Sequence, residues 1–567
     1  MSVTSGRTFA LSERSAYAVM YRFLLVALLT AASLHAQPAP SDPSSSGGLL
    51  ILEQAAFDVH YYDLEIEVEP VAERIEGHLG MYATMVLPSD AIALDLDTTF
   101  AVAQVTDVKR GETLPFERLG GRLLIDLGWT MQPGDSVAVR VDYAGKPRVA
   151  PNPPWDGGFT WVDRADGTHW VGVSCQGEGA DLWWPVKDHP SDEPDSLRIR
   201  ATVPAGHTAV SAGRLRGVVE NPDGTRTFDW FVSTPINNYG LSLYVAPYET
   251  VEADYTSVAG EALPIRFYVL PEDRAKAEAL MPQIVEQMRF MEETFGPYPF
   301  RADKYAVVQS PYLGMEHQTA IAYGDTFTDN AFGFDWLHLH EFAHEWWGNL
   351  VTVPDWSHLW IHEGFAMYVE ALYAEHLGGR DAYLRYLQSK RGRILNARPV
   401  VPSRTVDTQE AHFGTSSTDA DVYFKGMWFL HTLRYAVDDD PAFFRALRRM
   451  AYPDPAMEAM TDGRQARFAT TEDFQRILEH ETGRNLSTLF RLYLYQPTLP
   501  RLVAEREGRR LHLRWETPEG YPVELPVEVA VDGEVRRVPM RAGQGQVLLP
   551  PDAEVAIDPN GWVLKAE

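Results

Sequence analysis

Apolar and polar positions alternate with a period of two along much of the first half of the chain. Residues 58–68, 136–143 and 197–203 each place an apolar side chain at nearly every second position, and turn residues separate such runs at close intervals. This pattern predicts an antiparallel all-β domain with one face in water. The texture changes after Pro271. Residues 273–294 carry apolar side chains at helical spacing and stop at Gly296-Pro297, a helix terminator. Helical patterns recur over 336–347, 359–377, 382–394, 422–437, 441–450 and 471–481, and 305–309 and 319–323 read as strands. Beyond Pro497 short strands return at 511–515, 523–529 and 546–549, and Asp532-Gly533 is a hairpin signal. The expectation is a multidomain α+β chain: a β-domain over 51–250, a mostly helical α+β unit over 251–496 and a small β-sandwich over 497–567. No repeat of fixed period is present, which argues against solenoids and propellers.

Length agrees with that division, because 567 residues exceed one core at roughly 150 residues per domain. The first fifty residues read differently. Arg22 precedes an apolar run over 23–32, the length of a signal-peptide core and too short to span a bilayer. Leu34-His35-Ala36 offers a cleavage site, and Met20 is an alternative start. Residues 1–36 are thus expected to be a signal peptide and 37–50 a Pro- and Ser-rich linker, giving an exported, periplasmic or extracellular protein without a membrane anchor. Hydrophobic residues make up 45% of the chain and 15 are Trp, which excludes disorder for most of it.

Lys and Arg number 50 against 79 Asp and Glu, a formal charge of −29. A field of that sign repels nucleic acid and favours cationic ligands. The lone Cys175 excludes an intramolecular disulfide and any Cys-rich metal site, so a metal must be held by His and carboxylates. His340-Glu341-Phe342-Ala343-His344 offers such a site. Helix positions four apart lie only about 40° apart around the axis and about 6 Å along it, so both imidazoles can reach one ion. Glu341 can then act as general base toward a water. A catalytic zinc takes three protein ligands. Glu363 opens the next predicted helix after eighteen intervening residues, and His362 beside it competes as third ligand although it points about 100° away. Glu370 is a candidate acceptor behind a ligating histidine, with a surface salt bridge as the alternative reading. His338 lies about 200° from His340 and reads as a surface or packing residue.

The run from His340 to Glu363 with Gly364-Phe365-Ala366 resembles the zinc signature of the aminopeptidase N family, gluzincin metallopeptidases that include the leukotriene hydrolase. The resemblance covers about 55–495 and implies a thermolysin-like catalytic domain. It also implies one Zn2+ per chain on His340, His344 and Glu363, with Glu341 as general base. Pro311 to His317 resembles the family's G-x-M-E-N segment. This implies that Glu316 binds a substrate amino terminus, with Gly314 and Met315 on a strand that a peptide joins at its edge. Leu313 and His317 depart from that motif. Gln176, after Cys175, matches the stretch that assists in holding the amine, with Asp181 where many relatives carry Arg. Tyr423 in Asp421-Val422-Tyr423-Phe424-Lys425-Gly426 matches the family's oxyanion donor.

The implied activity is zinc-dependent removal of the N-terminal residue from peptides with a free amino terminus. Two alternatives stay open: an epoxide hydrolase with residual peptidase activity, and a non-catalytic peptide-binding protein on the same scaffold. Longer family members add a helical C-terminal domain, and here a short β region follows Pro497 instead.

Overall fold

The computed structural model describes residues 45–324, 327–414, 416 and 418–566. The expected signal peptide and most of the linker lie outside the described residues. The described residues form one compact unit, and no helix among them is long and apolar enough to cross a membrane.

The alternating runs of the first half become strands. An eight-stranded sheet has the spatial order Arg214–Glu220, Arg226–Val232, Ser196–Val203, Phe57–Glu69, Arg74–Met85, Ser136–Gly145, Phe100–Asp107, Glu112–Thr113. Leu64, Ile66 and Val68 turn to the core while Glu65 and Glu67 face water, as a period of two requires. One pairing departs from the antiparallel expectation: Phe57–Glu69 and Ser196–Val203 run parallel. Parallel neighbours need a long connection, and local alternation carries no record of a partner more than a hundred residues away. A four-stranded sheet contains His169–Ser174, which delivers Cys175-Gln176 at its end.

A second, five-stranded sheet follows. Its order is Glu249–Ala253, Ile265–Val269, Tyr305–Gln309, Ile321–Tyr323, Gly314–Met315, so Gly314–Met315 is an edge strand, antiparallel to Ile321–Tyr323. Five helices frame the site: α1 (Arg274–Phe295), α2 (Trp336–Ala343), α3 (Trp360–Arg391), α4 (Thr408–Phe413) and α5 (Asp421–Val437). Helix α2 is shorter than the periodicity suggested, with His344 as its C-cap. Helix α3 joins two predicted helices across a break at Gly379, whose φ of 69° suits glycine alone. Helix α4 has 6 residues, too few to show a period.

The C-terminal strands form two three-stranded sheets, and Asp532 and Gly533, with φ of 51° and 84°, make the expected hairpin turn. Trp562 from this region stacks on His431 and Tyr435 of α5. Ser46 and Gly47 were expected in a linker and are instead buried. Ser46 donates to Gly177 O at 3.3 Å and accepts from Thr408 N at 3.0 Å. Gly47 packs so closely that a Cβ would lie 2.3 Å from the Trp356 ring. A Pro- and Ser-rich composition predicts a linker, yet small residues such as Ser46 and Gly47 also fit a tight passage between packed elements.

Candidate metal centre and substrate site

Asp335 caps α2 by accepting from His338 N, and the helix presents His340 and, at its C-cap, His344. The two Nε2 atoms lie 3.4 Å apart, and Glu363 Oε2 of α3 is 3.6 Å from each. Tetrahedral ligands at about 2.1 Å from zinc sit roughly 3.4 Å from one another, so the three atoms outline one face of such a site. Their other atoms are committed. His340 Nδ1 is 3.0 Å from Glu370 Oε1 and His344 Nδ1 is 2.9 Å from Trp347 O, which leaves both Nε2 lone pairs for an ion. Glu363 Oε2 is buried without a hydrogen-bond partner, a state that a cation relieves. The residues therefore fit a zinc ion.

His362 and His338 are not ligands. His362 is fully buried beside Trp356, its ring nitrogens without partners. His338 is buried between the Tyr305 hydroxyl and Gln287, which makes it a packing and not a surface residue.

The edge strand brings the substrate residues to the same place. A carboxylate oxygen of Glu316, one of Glu341 and a ring nitrogen of His344 all lie within 4.8 Å of one another. Glu316 Oε1 accepts from Gln176 Nε2 at 2.5 Å and from Tyr239 OH at 3.1 Å. Met315 is buried beside it. Gly314 is required here for a different reason from the one expected: a Cβ would stand 2.5 Å from Glu341 Oε1. It gives clearance to the general base as well as to any peptide. His317 is buried against Tyr244, a structural role. Tyr423, from the first turn of α5, stacks on His340 with ring centroids 6.4 Å apart.

Residues 280–493 match the family model described as the Peptidase family M1 domain. Aminopeptidase M1-B of Oryza sativa subsp. japonica is 22% identical over 478 residues, 80% of this chain and 51% of its own. Aminopeptidase N of Haemonchus contortus is 26% identical over 318 residues, 52% of this chain and 32% of its own. Transcription initiation factor TFIID subunit 2 of Drosophila melanogaster is 24% identical over 364 residues, 59% of this chain and 28% of its own. Among solved structures, a mutant M1 zinc metallopeptidase of Deinococcus radiodurans bound to a Tyr-Ser-Ala substrate superposes with a TM-score of 0.63 at 26% identity. It covers 81% of this chain and 99% of that one. Residues 280–493, which hold the metal triad, are an M1 peptidase domain by this match. The chain spans about half or less of the length of these curated relatives.

The electrostatics of this M1 site follow from crowding three carboxylates into a buried space. Burial, then the charges of Glu363 and Glu341, push Glu316 well above its usual range. Burial also raises Glu341, to about 8, with His340 opposing and Glu363 and Glu370 adding. Against burial, the neighbouring His344 and His340 hold Glu363 down to about 2. Such a site lacks positive charge, and a dication together with a ligand ammonium supplies it.

Three contributors escaped the sequence reading. Tyr239 reaches Glu316, Asn349 Nδ2 donates to Glu316 O at 3.0 Å, and His412 of α4 lies beside Tyr423. Asn349 stands in the quoted zinc signature and could have been asked for a partner. Tyr239 and His412 carry no local signal.

Proposed function

We propose that this chain is a zinc-dependent aminopeptidase that hydrolyses the first peptide bond of substrates with a free amino terminus. The observation that carries the reading is Glu316, a buried carboxylate just past the edge strand Gly314–Met315 and within 4.8 Å of Glu341 and His344. A metal triad alone suits endopeptidases equally, whereas an anion beside it captures an α-ammonium and fixes which bond is cut. Since the relatives include a transcription factor subunit, the activity is argued from the site and not from kinship. The complete set of polar groups around one point likewise disfavours a binding protein, and no observation favours an epoxide hydrolase.

Glu316 and Gln176 hold the substrate ammonium, which replaces their mutual hydrogen bond with two to the ligand. His340, His344 and Glu363 hold zinc, a Lewis acid for peptide carbonyls when bound. Glu341 takes a proton from the attacking water and returns it to the departing amine. Tyr423 donates a hydrogen bond to the oxyanion. The apolar run at 23–32 with its cleavage signal supports export of the protein.

The test is hydrolysis of a panel of aminoacyl chromogenic amides with and without chelator. Glu341→Gln is expected to retain zinc by metal analysis while turnover falls by at least about 10³-fold. Normal turnover in that variant overturns the reading. Glu316→Ala is expected to weaken binding of free-amine substrates while leaving N-blocked ones unaffected. Equal loss toward both classes removes Glu316 from the amine site.

A further inference from the structure

The hydroxyl of Tyr423 has two neighbours, and only one belongs to the zinc ligands. On one side stands the zinc ligand His340, its ring centroid 6.4 Å from that of the phenol. On the other side stands His412, with Nδ1 3.4 Å from the hydroxyl and ring centroids 5.9 Å apart in an edge arrangement. We infer that His412 is a positioning residue for Tyr423: its Nδ1–H donates to the phenol oxygen, so that the phenol's own proton is left to point into the active site. This inference rests on the aminopeptidase reading of the site.

The tautomer decides the matter. His412 is buried, and its Nε2 has no hydrogen-bond partner. A proton on Nε2 is then a buried donor with nothing to donate to. A proton on Nδ1 leaves only a bare lone pair there, the less costly of the two defects. Burial pushes the imidazole down to about 4, so the ring carries a single proton at neutral pH. With that proton on Nδ1, Tyr423 accepts from His412 and keeps its own hydrogen for the oxyanion in turnover. With the opposite tautomer the phenol proton is tied to the histidine and lost to catalysis. The 3.4 Å contact is long, and apo active-site hydrogen bonds commonly tighten only as charge develops.

The surroundings hold the ring in this orientation. Asp407 caps α4 by accepting from Glu410 N at 2.8 Å. At the other end Arg398 donates to Ala411 O at 2.8 Å and His412 O at 3.2 Å, while its Nε is anchored on Asp419 at 2.9 Å. The Ser46 carbonyl accepts from both Thr408 N and Thr408 Oγ1. A six-residue helix too short to be rigid alone is thereby pinned at both ends, which is what a positioning residue needs.

The experiment compares His412→Leu, which removes the donor, with His412→Asn, whose amide nitrogen approximates Nδ1. Each is made in the native and in the Tyr423→Phe background. Expected are a fall in kcat of about 10-fold for His412→Leu with KM within about twofold, recovery to within about threefold of native for His412→Asn, and no further loss from His412→Leu once Tyr423 is Phe. Equal losses in both backgrounds, a change confined to KM, or failure of Asn to rescue overturn the inference. A second readout is independent of turnover. The 15N spectrum of histidine-labelled, metal-free protein, with His412→Asn as the difference reference, should show the proton on Nδ1; a proton on Nε2 overturns the assignment. If the native chain hydrolyses no aminoacyl amide, the proposed function falls while the tautomer result still stands or fails on its own.

Discussion

His340 illustrates how much one side chain is asked to do at the residue scale. Its Nε2 must face the metal while Nδ1 keeps the 3.0 Å contact with Glu370, and Glu370 Oε2 is in turn bonded to Tyr386. Glu370 is buried with no exposure, so it acts through His340 and not as a surface salt bridge. Replacing it by Ala frees the imidazole to rotate. Glu370→Ala is expected to weaken zinc retention by about 10- to 100-fold, measured by competition with a chromogenic chelator. Unchanged zinc affinity would show that His340 is held by packing alone. The residues that the sequence made legible share one property: HExxH, Glu363 and Glu370 lie on two short stretches whose helical spacing fixes their directions. Glu316 and Tyr423 were found only through resemblance. Tyr239 and His412 were not found, because what makes them functional is a neighbour 77 or 11 residues away and no spacing rule connects the pairs.

Helices α3 and α5 carry Glu363 and Tyr423, and their separation is set by two glycines. A Cβ on Gly364 would stand 2.9 Å from Gly426 Cα, and one on Gly426 would meet Gly364 Cα at the same distance. Both contacts are to backbone, which cannot rotate away, so a methyl group here forces the helices apart. Gly426→Ala is expected to destabilise by about 1–3 kcal/mol and to lower kcat for free-amine substrates, because Tyr423 lies one turn before Gly426 and moves with it. Thermal unfolding and steady-state kinetics read the two effects; a variant with native kcat and lowered stability would separate packing from alignment. At this scale periodicity recovered α1, α5 and the sheet strands closely. It missed α4, which is pinned by Arg398 and Ser46 and not by an apolar stripe. It also missed the parallel pairing of Phe57–Glu69 with Ser196–Val203.

For the whole molecule, the excess of acid has a consequence beyond a negative surface, because several carboxylates are buried. Asp188 is raised to about 7 by burial and then by Asp95, and Asp95 to about 6 by burial, which Arg122 opposes. Glu193 is pushed up to about 8 by burial and the charge of Asp192. Asp181 and Asp188 crowd one point: a Cβ on Gly179 would meet Asp188 Oδ2 at 2.3 Å and Asp181 Oδ1 at 2.7 Å. Asp181 Oδ1 has no hydrogen-bond partner. In the unfolded chain these groups release protons near pH 4, so between pH 4 and 8 the folded protein binds more protons than the unfolded one. Stability contributed by the protonated carboxyls is therefore complete below about pH 4 and declines as pH rises through 6 to 8. Salt-bridged surface acids act the other way at low pH; Asp229, held down by its hydrogen bonds to Arg198, loses its contribution as pH falls. The unfolding midpoint should thus peak near pH 5 and decline toward pH 8. Asp188→Asn retains an acceptor for Ala180 N, which now bonds Asp188 Oδ1 at 3.0 Å, and gives Asp181 a permanent donor. It is expected to raise stability at pH 8 by about 2–4 kcal/mol relative to native and by only about 1 kcal/mol at pH 5. Thermal unfolding of both proteins across pH 5–8 measures this; parallel curves would mean that Asp188 stays ionised in the folded core.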